Sequence, residues 1–242
     1  SSAEKEYEAE IEFGICTTTL DRGGEVIERA GARDVAELTG AMIDAAVATF
    51  RGTYLQKPPA YSAKKIDGDR AYDLARKNAP VRLQPVQVTA SRLDVIEWQG
   101  SRLRVRLICS AGYYVRSLAD ALGEWLGTGA HLAGLVRTRS GDFTMDQAIG
   151  LEMLDQRPAE AASRVLPLAT LLPGLPAITL TAEGASVASR GGFVGPSHVQ
   201  GAQSLPKSGR VRLLHPDGRL VAVAEPRAGG VAGLLHPTVV LE

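Results

Sequence analysis

The chain has 242 residues, with 27 basic and 27 acidic side chains that give a formal net charge of zero at pH 7. This length accommodates a large hydrophobic core and favours two domains over one. A neutral balance excludes a uniformly basic nucleic-acid-binding protein, so any contact with RNA must come from local clusters of cations. No apolar run is long enough to cross a bilayer, and residues 1–12 do not resemble a signal peptide. Cys16 and Cys109 have no metal-ligand or disulfide spacing, so we expect a cytoplasmic protein.

The N-terminal residues predict an amphipathic strand followed by a turn. Residues 5–15 alternate between an apolar face, which includes Tyr7, and a face with four glutamates. Residues 17–25 have the threonine, aspartate and glycine content of a turn. Tyr7 is either an ordinary inward-facing strand aromatic or a residue that contacts a substrate.

A helix is predicted at residues 34–51, where apolar positions recur at helical spacing. The next segment, residues 51–76, begins with an extended stretch because Pro58 and Pro59 disfavour both a helix and a central strand. Cations and tyrosines are interleaved through it, which suits RNA: positive charge for phosphates and flat rings for bases. The residues predicted to bind RNA here are Lys57, Tyr61, Lys64, Lys65, Arg70, Tyr72 and Arg76. A charged, solvated loop is the alternative that composition alone favours.

Arg116 lies where a strand gives way to a helix. Residues 81–98 and 103–109 predict two antiparallel strands joined at 99–101, and residues 115–126 have apolar side chains at helical spacing. A cation at such a junction can be held rigidly and directed at an anion across a cleft. The alternative is an arginine buried in a structural ion pair.

The remaining sequence predicts a second, smaller domain. A glycine-rich bend and then a basic segment occupy residues 127–141, where Arg137 and Arg139 are further candidates for RNA contact. Residues 151–171 predict an alanine-rich helical stretch that Pro158 and Pro167 break. Prolines at 173 and 176 mark the boundary between domains at 1–172 and 175–242. Short strands are predicted at 178–180, 211–214, 220–224 and 238–241, with a hairpin turn at Asp217-Gly218.

Four motifs follow one another along the chain. They are Lys5-Glu6-Tyr7 before a strand, Gln56-Lys57-Pro58-Pro59-Ala60-Tyr61-Ser62-Ala63-Lys64, Gly112-Tyr113-Tyr114-Val115-Arg116, and Gly129-Ala130-His131 followed by Leu135-Val136-Arg137. In this order they resemble the bacterial tRNA pseudouridine synthase family TruB, and the motif with two prolines is the most specific match. The resemblance is good over residues 5–141 and weak over residues 175–242.

The resemblance implies an α+β fold, in which a mainly antiparallel sheet flanked by helices forms the catalytic domain and a small PUA-like β module binds RNA. It implies isomerisation of uridine to pseudouridine at position 55, in the T-loop of tRNA, by base flipping and exchange of a C–N for a C–C glycosidic bond. The implied partner is the T-arm stem-loop of tRNA, with no cofactor, metal or membrane, and a monomer is expected. Arg116 would hold the catalytic aspartate, Tyr7 would be the platform for the base and accept a proton, and Leu135 would close the uridine pocket.

Two departures from the family pattern concern acidic residues. Thr18 stands where the family usually has an aspartate between two threonines. The family's catalytic aspartate belongs to a Gly-His-x-Gly-x-Leu-Asp-Pro segment before the Lys-x-Tyr strand, and this sequence has no such segment. Asp21, Asp94 and Asp120 lack the flanking glycine-rich loop. We therefore expect a chain that is truncated before Ser1 and inactive on its own.

Two other classes of protein remain open at this point. The first is a non-catalytic RNA-binding or RNA-folding protein, which the missing aspartate favours. The second is a related synthase that acts within a guide-RNA complex. The uninterrupted Pro-Pro-x-Tyr-Ser-Ala-x-Lys segment, Pro58 to Lys65, favours the stand-alone bacterial type, since it resembles the insert with which that type holds its RNA directly.

Overall fold

The computed structural model describes residues 3–29, 34–62, 64–66, 69–72, 83–201, 205–227 and 233–241. The chain forms two compact units, residues 1–148 and residues 149–242. The predicted α+β class is confirmed, with a mainly antiparallel sheet in the first unit and a small β module in the second. The domain limits 1–172 and 175–242 stay a prediction. None of the helices in the described ranges is long and apolar enough to span a membrane.

The first unit is built on an antiparallel sheet that contains six of the described strands. In order across the sheet they are β10 (Phe143–Thr144), β9 (Ala130–Ser140), β1 (Lys5–Phe13), β8 (Arg102–Cys109), β7 (Val86–Gln99) and β4 (Gly52–Gln56). Two short hairpins lie outside this sheet: β2 (Ile15–Thr17) with β3 (Val26–Arg29), and β5 (Lys65–Ile66) with β6 (Asp69–Arg70). The predicted amphipathic strand is therefore β1 and β2, and the predicted hairpin at 99–101 joins β7 and β8.

One face of this sheet carries a network of ion pairs. The glutamates of β1 face the arginines of β8, because Glu8 pairs with Arg106 and Glu10 with Arg104 in the register of the two strands. The contacts run from Arg104 to Glu8 at 3.6 Å, from Arg106 to Glu8 at 3.1 Å and from Arg139 to Glu6 at 3.5 Å. These side chains are partly exposed, so each pair contributes little stability, but together they neutralise a face rich in charge.

The other face carries the hydrophobic core and the helices. Helix α1 (Gly40–Thr49) begins after Thr39, whose hydroxyl accepts a hydrogen bond from the amide of Met42 at 3.4 Å. Helix α2 (Val115–Leu126) ends at Gly127, whose φ of 75° is favourable only for glycine. Buried side chains of α1, α2, β1, β7 and β8 form one cluster, on which Tyr7 packs from the edge.

The glycine-rich bend is confined to residues 127–129, where Gly127 and Gly129 both have positive φ, and the basic segment after it is the long strand β9, which was not predicted. The period of two is hidden by two irregularities in its pairing with β1, opposite Glu6/Tyr7 and opposite Glu10/Ile11. Each irregularity inserts one extra residue into β9, so that side chains two positions apart change faces. A search for strict alternation therefore misses this strand.

The second unit consists of short helices and a four-stranded sheet of described strands. The helices are α3 (Leu151–Gln156), α4 (Pro158–Ser163) and α5 (Ala182–Ser189); the strands, in sheet order, are β11 (Ala177–Thr179), β12 (Val211–Leu214), β13 (Leu220–Pro226) and β14 (Leu235–Val240). The predicted helical stretch at 151–171, with breaks at Pro158 and Pro167, is observed as the two short helices α3 and α4 followed by a 3-10 turn at Leu168–Thr170. The predicted strands are confirmed with shifted ends, and α5 was missed. Arg212 donates hydrogen bonds to the carbonyls of Ala169, at 2.8 Å, and Leu175, at 3.1 Å, and so holds the proline-rich stretch against β12.

Candidate active site

Arg116 lies in the first turn of α2, directly after the turn that follows β8. Its guanidinium makes three hydrogen bonds to other parts of the chain. Nη1 donates to the carbonyl of Thr19 at 3.1 Å and to Oδ2 of Asp21 at 3.2 Å, and Nη2 donates to the carbonyl of Tyr61 at 2.7 Å. Among the described residues these are the hydrogen bonds it makes, and they use three of its five N–H groups, so the other two can donate to a further acceptor such as a carboxylate.

Asp21 is the acidic partner of Arg116, and its carboxylate is held from several sides. Oδ1 accepts from the hydroxyl of Thr19 at 2.6 Å and from the amide of Gly23 at 3.0 Å. Partial burial would raise the pKa of Asp21, but these hydrogen bonds and the charge of Arg116 outweigh it and lower that pKa below its ordinary value. The residue before it, Leu20, has a φ of 62°, a sparsely populated conformation for a non-glycine residue. The pair is therefore charged at neutral pH and built on a constrained turn.

Tyr7, Leu135 and Arg137 share one face of the sheet. Tyr7 is opposite Arg137 and Ala9 is opposite Leu135 in the pairing of β1 with β9. Cross-strand partners of an antiparallel pair lie side by side on the same face. Helix α2 packs on this face, and the turn with Asp21 is joined to β9 by an isolated bridge between Asp21 and Leu132. The Asp21 turn therefore contacts both the first turn of α2 and strand β9, which pairs with β1 and carries Arg137 opposite Tyr7.

Arg139 does not belong to this group. The extra residue Thr138 turns it to the opposite face, where it pairs with Glu6 and donates to the carbonyl of Gly141 at 3.2 Å. Its predicted contact with RNA is separate from the Tyr7 face and stays a prediction.

The segment after β4 forms a wall beside α2. Gln56 is buried, at 4% exposure, and its side chain makes two hydrogen bonds with the peptide groups of Tyr114. The carbonyl of Lys57 accepts from the hydroxyl of Ser117 at 2.8 Å. The predicted RNA-binding segment therefore contacts the helix that carries Arg116.

The structure describes only some of the other residues that were predicted to contact RNA. The side chain of Lys57 is exposed, that of Tyr61 is half-buried, and the backbone holds Tyr72 near this segment because its amide donates to the carbonyl of Ser62 at 3.1 Å. The backbone carbonyl of Lys64 accepts a hydrogen bond from the amide of Ala71 at 2.8 Å. Lys65 and Arg70 are cross-strand partners in the hairpin of β5 and β6. Arg76 lies outside the described residues.

A cavity of about 410 Å³ lies beside the same helix. Asp120, one turn after Arg116, lines it together with Lys57, Gln56 and Glu124. Burial raises the pKa of Asp120, and the negative charge of Glu124 adds to this effect. Among the described residues, the carboxylate paired with Arg116 is that of Asp21. Asp120 lines the cavity instead.

Comparisons with known proteins decide the family. Residues 1–115 match the family described as TruB family pseudouridylate synthase (N terminal domain), and residues 116–173 match the tRNA pseudouridylate synthase B C-terminal domain. A relative from Solibacter usitatus, named tRNA pseudouridine synthase B, is 39% identical over 99% of this chain and 79% of its own length. The chain belongs to the TruB family. A second TruB relative of the same name, from Stutzerimonas stutzeri, is 36% identical over 94% of this chain and 73% of its own length.

Solved structures give the same fold at lower identity. The structure of an H/ACA RNP bound to a substrate RNA containing 2'-deoxyuridine matches with a TM-score of 0.64 and 19% identity, over 100% of this chain and 67% of that chain. A Cbf5-Nop10-Gar1 complex matches with a TM-score of 0.63 and 20% identity, over 100% of this chain and 66% of that chain. The guide-RNA alternative therefore rests on likeness of fold, whereas the TruB assignment rests on sequence identity of 36–39%.

Sequence reasoning did not predict the ion pair of Asp21 with Arg116. Asp21 was weighed only as a replacement for the catalytic aspartate and set aside because it lacks a glycine-rich loop before it. The useful signal was the pair of threonines in front of it and the glycines behind it, which is the composition of a turn that can hold a carboxylate through hydroxyl and amide donors.

Proposed function

We propose that this protein converts uridine to pseudouridine in the T-loop of tRNA, at position 55, in the cytoplasm. The observation that supports the proposal best is the arginine of the first turn of α2, whose guanidinium is fixed by Asp21 and two backbone carbonyls and keeps two N–H groups for an incoming anion. The names of the TruB relatives point to the same activity.

The reaction exchanges one glycosidic bond for another within the same nucleotide. The target base leaves the RNA stack, the bond from N1 to C1′ breaks, the base rotates, and a bond forms from C5 to C1′. N1 gains a proton and C5 loses one, so the product is an isomer and no oxidant or co-substrate is consumed. A carboxylate that attacks or stabilises the sugar or base carries the step, and a fixed cation orients it.

We assign Asp21 to positioning rather than to attack. One of its oxygens accepts hydrogen bonds from Thr19 and Gly23, and the other accepts from Arg116. A carboxylate held at both oxygens, with a lowered pKa, is a weak nucleophile and a strong anchor for a guanidinium. Tyr7 would be the platform for the base, Leu135 would close the pocket, and Arg116 would orient the attacking aspartate of the family, whose Gly-His-x-Gly-x-Leu-Asp-Pro segment is not among these 242 residues.

The test compares this chain with the full-length gene product. We expect pseudouridine formation in a T-arm stem-loop RNA only with the longer protein, and RNA binding with both, because the RNA-binding segment and Arg116 are present in both. The assay is tritium release from uridine labelled at C5, run beside filter binding. Turnover by the 242-residue chain itself, purified from a host without the endogenous synthase, would contradict the proposed position of the nucleophile. Binding without turnover in both proteins would favour the non-catalytic RNA-binding protein.

The RNA would approach along the segment after β4. Exposed Lys57 and half-buried Tyr61 border the carbonyl that holds Arg116, and exposed Arg137 is the neighbour of Tyr7. The proposal extends to the further predicted contacts Lys64, Lys65, Arg70, Tyr72, Arg76 and Arg139. Cations of this kind neutralise phosphates, and the aromatic rings stack on bases or sugars.

We also propose that the second unit binds RNA, as expected of a PUA-like module. Its support is an exposed group of three side chains. The guanidinium carbon of Arg227 lies 4.5 Å from the ring centroid of Phe193, and the ring of His236 lies 5.1 Å from the same centroid at an interplanar angle of 36°. The Phe193 ring is 41% exposed. Such a stack offers flat faces for unpaired bases and a cation for a phosphate.

Replacing Phe193 and His236 by alanine should weaken binding of full-length tRNA by about tenfold, since stacking contributes about 1–3 kcal/mol per base. The affinity for an isolated T-arm stem-loop should stay the same. Arg157→Ala, which removes an exposed arginine of the same unit paired with Glu160, is the matched control. Equal binding of full-length tRNA by all three proteins would show that the module only stabilises the protein.

A further inference from the structure

We propose that Gln56 is a positioning residue for pseudouridine formation, which fixes the first turn of α2 and through it the guanidinium of Arg116. RNA bound to the extended segment 57–62 would then influence the position of the Arg116 guanidinium through the backbone of that segment. The inference rests on the proposed function and deepens it.

The side chain of Gln56 replaces a missing partner at the start of α2. Its Oε1 accepts from the amide of Tyr114 at 2.8 Å, and its Nε2 donates to the carbonyl of Tyr114 at 3.0 Å. Tyr114 is the residue before the first helical residue, and its own side chain makes no capping hydrogen bond. The first amides of a helix need partners from outside the helix. Two bonds to one residue fix both the place and the orientation of a peptide that lies two positions before Arg116.

The residues that follow Gln56 continue the same contact. The carbonyl of Lys57 accepts from the Ser117 hydroxyl at 2.8 Å, and the carbonyl of Tyr61 accepts from Arg116 at 2.7 Å. Between them lie Pro58 and Pro59, both buried, which hold the segment extended and stiff. Three residues of the α2 start are thus bound by one short stretch of chain.

This stretch presents different groups to its two sides. Its backbone carbonyls accept hydrogen bonds from side chains of α2, whereas the side chain of Lys57 is exposed. RNA that binds the exposed side acts on the same backbone that holds Ser117 and Arg116. Gln56 itself is only 4% exposed and its amide is bonded to Tyr114, so its loss should change the rate of the chemical step and leave affinity for tRNA intact.

The test is Gln56→Leu in the full-length protein, a change that keeps the volume of the side chain and removes both hydrogen bonds to Tyr114, together with a longer one of 3.5 Å to the Tyr54 hydroxyl. We expect the single-turnover rate to fall by about 10–100-fold, because a displacement of about 1 Å at a reacting group costs up to about 10²-fold. The dissociation constant for tRNA should stay within about twofold, which is a split that general loss of structure would not produce.

Val88→Ala is the control for stability. Val88 is 2% exposed and lies opposite Tyr54 of β4, so its truncation weakens the same core and keeps the side-chain hydrogen bonds of Gln56 and Ser117. Ser117→Ala, which removes the other side-chain contact, should lower the rate in the same direction and carries the test if Gln56→Leu does not fold. The inference is overturned if both variants match Val88→Ala in rate, or if rate and affinity fall together. A wild-type protein without any turnover would instead overturn the proposed function.

Discussion

Arg116→Lys is expected to lower the single-turnover rate of pseudouridine formation by about 10²–10³-fold, the range seen when one preorganised electrostatic donor is removed from an active site. A lysine ammonium is a compact charge on a flexible stem and cannot reach Asp21 and the carbonyls of Thr19 and Tyr61 together in the planar arrangement of a guanidinium. The attacking carboxylate would keep a nearby charge and lose its orientation. Rapid-quench kinetics with unmodified tRNA, together with filter binding, measure the two quantities separately.

Arg104→Lys is the matched control, since Arg104 lies on the charged face of the sheet in partly exposed pairs with Glu8 and Glu97. It should leave rate and affinity unchanged. Asp21→Asn should give an intermediate loss of about 10–100-fold, because a hydrogen bond to a charged group contributes about 1.5–3 kcal/mol. Normal turnover by Arg116→Lys would mean that the Asp21 pair is an ion pair of the fold alone.

The pH dependence of the pair follows from the direction of the pKa shift. The pKa of Asp21 is lowered in the folded protein, so its contribution to stability is fully present above the ordinary carboxylate pKa. It is lost only as the pH falls through the lowered value. The Asp21–Arg116 pair therefore stays intact across the neutral range, and any change of rate between pH 6 and pH 8 must come from another group.

Gly123→Ala is expected to destabilise the first unit by about 3 kcal/mol, the upper part of the range for overpacking a core. A Cβ atom at Gly123 would lie 2.3 Å from the backbone nitrogen of Ala130 and 2.4 Å from the carbonyl carbon of Gly129. Backbone atoms cannot turn aside as a flexible side chain does, so α2 and the start of β9 would have to separate. This steric cost exceeds the gain of about 1 kcal/mol in helix propensity that alanine brings.

Urea unfolding followed by tryptophan fluorescence measures this effect, because Trp98 and Trp125 both lie in the first unit. Gly40→Ala is the control: it also replaces a helical glycine, and a Cβ there meets no atom within 4 Å. An unfolding midpoint for Gly123→Ala equal to that of Gly40→Ala would disprove the close approach of α2 to β9.

The sequence predicted those elements whose pattern is local. Strand β1 alternates without interruption, the β7–β8 hairpin has a clear turn, and Arg116 was correctly predicted at the junction of a strand and a helix. Helix α5 was missed because its sequence, rich in alanine, glycine and serine, has no broad apolar stripe.

Local sequence patterns could not predict the contacts between residues that are far apart in the sequence. Asp21 and Arg116 are 95 positions apart, and Gln56 and Tyr114 are 58 positions apart. No spacing rule links them, because only the assembled sheet brings the turn after β2 and the end of β4 to the start of α2. The family motifs named Arg116 and the segment from Gln56 onward, and the structure adds their hydrogen-bond partners.

The irregular pairing at Thr138 places Arg137 and Arg139, two residues apart in one strand, on opposite faces of the sheet. In a regular strand Arg137 and Arg139 would be equivalent, and a mutational scan would treat them as one group with Leu135. With one extra residue between them, the first stands beside Tyr7 and the second beside Glu6. Substitutions at position 137 should therefore resemble those at Tyr7 in their effect, and substitutions at position 139 should resemble those in the network of glutamates and arginines. At this point of β9, residues two positions apart no longer share a face of the sheet, so their spacing does not predict a shared function.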